Sequence, residues 1–180
     1  GKHAGMLALC RDRGWRSEGY RHEAHRVQRA MAAAHADAAE VDEDSMPTAV
    51  DGCGVVTFAL SLERTAAAFS RLRALLGGER IAEAMSAHPE LIGGGGQADT
   101  ELMRALPGWI AKGGAEGLMC AAGPDGLGLA LKAEDGSQRP MRPALHAFLG
   151  RFGLELPADF ARVPVLNAHG EDVGVVMSVL

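Results

Sequence analysis

Fifteen arginines stand against only three lysines in this chain. Arginine stays charged, whereas lysine can lose its proton and serve as a base or a ligand, so each lysine merits inspection. Lys2 opens the segment Lys2-His3-Ala4-Gly5-Met6. It sits at a helix start, where the dipole is expected to weaken its hold on a proton. Lys112 stands in Ile110-Ala111-Lys112-Gly113-Gly114-Ala115-Glu116-Gly117, at the end of an apolar strand. Gly113 and Gly114 would let a substrate lie against that strand, and the lysine would fix an anionic group or tune a nucleophile. A third segment, Asp51-Gly52-Cys53-Gly54, puts a carboxylate and a thiol on a tight turn. Each has a plain alternative: a solvated lysine, a hairpin with one exposed charge, and a structural turn with a buried cysteine.

Other chemistry has little support. Phosphate-binding loops of the G-x-x-x-x-G-K-[ST] and G-x-G-x-x-G types are absent. Gly93 to Gly96 has no strand before it and no lysine after it, so it reads as a mobile loop. His22 and His25 would share a helix face, but no third ligand accompanies them. None of the seven serines is followed by lysine three residues on, and no G-x-S-x-G elbow exists. Cys10 and Cys120 fall on apolar faces and read as core.

The elements that must carry these residues follow from periodicity. Helices are predicted over 2–9, 23–39, 62–76, 79–87, 99–105 and 142–151. Gly77-Gly78 and Pro107-Gly108 act as stops. Residues 55–60 read as an extended segment. Three short apolar runs, 109–111, 117–122 and 127–133, are separated by Gly113-Gly114 and Pro124-Asp125-Gly126, which predicts an antiparallel meander. A β-branched strand follows over 173–179. Helices packed on an antiparallel sheet make an α+β fold in one domain over 1–180. The chain has 180 residues, 47% of them apolar and 23% charged, which suffices for a real core. No run approaches the length of a membrane span. A net charge of −5 gives no electrostatic case for nucleic acid. Three scattered cysteines suggest a reducing compartment, and the expected location is cytoplasmic.

Five separated segments together resemble a known family. They are Gly-Lys-His-Ala-Gly-Met at 1–6, Asp-Gly-Cys-Gly at 51–54, Ala-His-Pro-Glu at 87–90, Asp-Thr-Glu-Leu-Met-Arg at 99–104 and Ala-Lys-Gly-Gly-Ala-Glu-Gly at 111–117. Their identity and order are similar to the rhizobial-type asparaginase II family, from residue 1 to about Gly174. The resemblance implies a serine-β-lactamase-like or glutaminase-like fold, the fold of penicillin-recognising enzymes. It also implies hydrolysis of L-asparagine to L-aspartate and ammonia by a homodimer. Carried over by position, Lys2 and Cys53 would hold a zinc ion, and Lys112 would be the catalytic strand lysine. His3, Asp51, Gly113, Gly114 and Glu116 would contact substrate. The family's nucleophilic serine stands in a Ser-x-x-Lys motif, and its first zinc cysteine in Cys-Ser-Gly-Lys-His. Both are expected upstream of Gly1, so the chain reads as N-terminally incomplete. Alternatives are an inert or regulatory module of the same fold, or a glutaminase or β-lactam-binding relative.

Overall fold

The computed structural model describes residues 1–179. It divides into two compact units, the first Gly1–Arg64 and the second from Thr65 on. Seven α-helices and three small antiparallel sheets form among the described residues, which is an α+β architecture.

The first unit begins with α1 (Lys2–Asp12) and α2 (Arg26–Ala39), followed by a hairpin of β1 (Thr48–Val50) and β2 (Val56–Phe58). Met6 and Cys10 from α1, Val27 from α2 and Val55 make its small buried core, with Trp15 and Tyr20 packed alongside. Helix α2 starts later than its apolar period suggests, and His25 is the reason. Its Nδ1 accepts the Val27 N–H at 3.1 Å, while Nε2 lies 2.9 Å from the Arg16 carbonyl. The ring therefore caps the helix and satisfies an otherwise free amide. Both nitrogens are used, so His25 is not half of a metal pair with His22.

The second unit is built on a three-stranded sheet, β3 (Ile110–Gly114), β4 (Leu118–Ala122) and β5 (Gly128–Lys132), in the order 3-4-5. This is the predicted meander. Successive side chains alternate between its faces. Ala111, Met119, Ala121 and Leu129 join the main core with residues of α5 (Ala98–Ala105) and α6 (Met141–Gly150). Ile110 and Ala122 point the other way, onto Phe69 of α3 (Leu62–Arg71) and Ala82 and Met85 of α4 (Gly78–Ala87). Helix α3 ends at Arg71, and Leu76 is fully exposed rather than continuing the apolar stripe. The cause is the Gly77-Gly78 turn. A Cβ on Gly78 would lie 1.6 Å from the Leu72 carbonyl oxygen, so only glycine lets the chain double back there.

Besides β1, two elements have no counterpart in the sequence reading. The four-residue α7 (Ala158–Ala161) is too short to show a period, yet it delivers Phe160 into the core with no exposure. Strand β6 (Arg162–Leu166) contains Pro164, which reads as a breaker. Among the described residues its only partner is β7 (Asp172–Met177), so one edge needs no proline N–H. No helix among the described residues is long and apolar enough to cross a membrane.

Candidate functional site

In the first unit the turn after β1 meets the first turn of α1. Lys2 Nζ donates to Asp51 Oδ2 at 2.8 Å, and Cys53 Sγ lies 3.5 Å from the same oxygen. The Gly52 N–H fixes the other oxygen at 2.7 Å. Three residues singled out by sequence thus converge. The fourth, His3, is turned aside: its Nδ1 is 2.8 Å from the Tyr20 hydroxyl, with the rings edge to face.

The protonation of Lys2 differs from the helix-dipole expectation. The bond to Asp51 raises its pKa, and this outweighs the opposing effect of partial burial. The Asp51 carboxyl is correspondingly held below its usual range, first by the Lys2 bond and then by the Gly52 amide. A specific carboxylate at 2.8 Å prevails over a diffuse dipole. The pair is therefore ionised throughout the neutral range.

This bears on zinc. A zinc site calls for about four ligands, and a lysine ligand must be neutral. The cluster supplies one thiol, one carboxylate and an ammonium tied to that carboxylate. No group of three or more His, Cys, Asp or Glu able to hold a metal forms among the described residues. These residues alone do not fit a complete zinc site. Added zinc is expected to leave on dialysis against metal-free buffer. One equivalent retained by metal analysis would mean further donors, with the free Nε2 of His3 first in line.

The cysteines differ in access. Cys53 is exposed, so the structural-turn alternative with a buried thiol does not hold, whereas Cys10 and Cys120 are buried. Burial pushes the Cys120 thiol up to about 11. Alkylation with iodoacetamide near pH 8 should label Cys53 alone. Cys10 and Cys120 should react only after unfolding, as peptide mass analysis would show.

In the second unit a cleft of about 460 Å³ opens over the end of β3, lined by Asp99, Lys112, Gly113, Gly114, Gln138 and Arg142 among others. Lys112 is half exposed, and its Nζ donates to the Gly113 carbonyl. Asp99 is 3% exposed. Its Oδ2 accepts the Gly113 N–H at 2.9 Å and lies 3.7 Å from Lys112 Nζ, while Oδ1 accepts the Thr100 N–H at 2.9 Å. Asp99 opens the helix predicted over 99–105, where an aspartate is a common cap. The cap position is instead Gln97, and Asp99 lies inside the first turn of α5. Sequence alone could not have found its role, because its main partner is a backbone amide fourteen residues away.

The glycines after Lys112 are less open than expected. The Gly113 amide is taken by Asp99, and the Gly114 carbonyl accepts from Gln138 at 2.8 Å. Glu116 lies outside the cleft lining, at the tip of the β3–β4 hairpin with φ of 56° and beside Gly136. Gly93 to Gly96 is not a free loop. Gly96 accepts from Arg142 at 2.7 Å and donates to Glu101 at 3.2 Å.

No curated protein matches the chain. A model of the L-asparaginase II family matches residues 1–178. That span includes both the Lys2–Asp51–Cys53 cluster and the Lys112 cleft, and on it the chain belongs to the L-asparaginase II family.

Proposed function

We propose that this chain provides the lysine-bearing part of an amidohydrolase that converts L-asparagine to L-aspartate and ammonia, on a serine-β-lactamase-like fold. The observation that carries the reading is the family match over residues 1–178, joined to a lysine presented at the rim of a cleft. Amide hydrolysis needs a nucleophile, a base to activate it and positive charge where the oxyanion develops. Lys112 suits the last role. Only one of its three donors is used by the Gly113 carbonyl, so two remain for a ligand. Gly113 and Gly114 add no side-chain bulk beside it. Zinc, on this reading, is held by Lys2 and Cys53 only with donors beyond these residues.

The nucleophile is the missing part. No Ser-x-x-Lys occurs in the 180 residues, and the second reading is an inert or regulatory module of the same fold. Ammonia release from L-asparagine and from L-glutamine separates the two. It should be measured for the chain alone and for the chain joined to any residues its gene encodes ahead of Gly1. Hydrolysis of asparagine only in the presence of a Ser-x-x-Lys segment supports the proposal. No hydrolysis in either form supports the inert module, and a preference for glutamine points to the glutaminase relative. A homodimer in the cytoplasm remains the expected setting, tested by sedimentation and by cell fractionation.

A further inference from the structure

Asp99 is the one charged side chain buried among the described residues. A buried carboxylate is costly unless it is paired. An ordinary helix start does not require one, because a neutral serine or asparagine can accept an amide there equally well. The sequence around Asp99 nevertheless accommodates the charge closely. Gly93 leaves the space it occupies: a Cβ there would lie 1.9 Å from Oδ1. Two backbone amides, of Thr100 and Gly113, hold its two oxygens at 2.9 Å. Lys112 Nζ stands 3.7 Å away, close enough for attraction and too far to spend a hydrogen-bond donor.

We propose that Asp99 is the positioning residue of the Lys112 site: it pins the Gly113 amide and faces the Lys112 ammonium, so that Lys112 meets the developing charge of the substrate from a fixed strand corner. The proposal rests on the reading of Lys112 as the charge-bearing group of an amidohydrolase. Asp99 itself touches no substrate. It acts through Lys112, and its loss should matter only while Lys112 is present.

That dependence is measurable as a double-mutant cycle in the catalytically competent protein. Asp99→Asn is expected to lower kcat/KM for L-asparagine by roughly 10–100-fold, the scale of a misplaced reacting group. On a Lys112→Met background the same change should cost less than about twofold, while the melting temperature falls in both. An equal loss of kcat/KM in both backgrounds would show a merely structural role and overturn the proposal. Two readouts need no activity, so failure of the asparaginase reading stays distinguishable. In acetic anhydride labelling, Lys112 should react at least about threefold faster in Asp99→Asn, with Lys2 and Lys132 unchanged; an unchanged Lys112 rate overturns the proposal. Should Asp99→Asn not fold, the unsubstituted protein still decides. Its Gly113 amide should exchange with solvent about 100-fold more slowly than the exposed Gly95 amide, and equal rates would refute the clamp.

Discussion

Replacing Lys112 by methionine is expected to lower kcat/KM for L-asparagine by about 10²–10³, the loss seen when one preorganised group for a developing oxyanion is removed. Stability should hardly change, and the geometry says why. The Lys112 side chain is 51% exposed and stands 3.7 Å from Asp99, whose carboxylate already receives two backbone amides at 2.9 Å. A pair at that distance whose cation is half exposed contributes about 0.5–1 kcal/mol. For a chain of this size that is a fall in melting temperature of roughly 1–4 °C. Lys112→Arg keeps the charge but spreads it over a planar fork, so it should recover part of the rate and not all of it. Steady-state kinetics in the catalytically competent form, with a melting curve for each variant, checks both statements. Unchanged kcat/KM in Lys112→Met would return Lys112 to an exposed charge on a hairpin.

The parts of the fold written in local chemistry were legible. The meander is one: Gly126, with φ of 89°, and Asp125, whose side chain accepts the Leu127 amide at 3.2 Å, make the β4–β5 turn that Pro-Asp-Gly predicts. Helix α4 stops at His88-Pro89 for an equally local reason. Strand β6 was hidden because Pro164 reads as a breaker unless the strand is known to lie at an edge. The candidate site divides along the same line. Lys2, Asp51 and Cys53 were named from motifs, and the fold brings them together. The proton on Lys2 was misjudged, because the local helix dipole is outweighed by a carboxylate 49 residues away. Asp99 was visible as an acidic residue near a helix start, inside one of the five resembling segments but with no role attached. The burial that distinguishes it comes from Gly93 on one side and the Gly113 amide on the other, and neither contact has a signature in spacing.

Alanine substitution along Gly93 to Gly96 should give a sharply uneven result, with Gly93→Ala by far the most damaging. A Cβ at Gly93 would fall 1.9 Å from Asp99 Oδ1 and 2.6 Å from its carboxyl carbon. A flexible, exposed side chain could swing away at little cost. Asp99 is short and buried, and turning it leaves the Gly113 and Thr100 amides without their acceptor. Overpacking costs about 1–3 kcal/mol, and each abandoned buried amide about 1–3 kcal/mol more. Allowing for partial relaxation, the loss should be about 2–5 kcal/mol, a fall in melting temperature of roughly 5–15 °C. Gly94 and Gly96 have open space around them but φ values of 93° and 75°. Their alanine variants should cost only the backbone penalty of about 1–2 kcal/mol. Gly95 has neither constraint, so Gly95→Ala should be neutral within about 0.5 kcal/mol, or slightly stabilising through the unfolded chain. Thermal melts of the four variants test this order. Four small and equal effects would mean that the segment moves freely and that no fixed carboxylate stands behind Lys112. A deep loss confined to Gly93 would mean that the glycine run serves as a seat for the charge that orients the lysine.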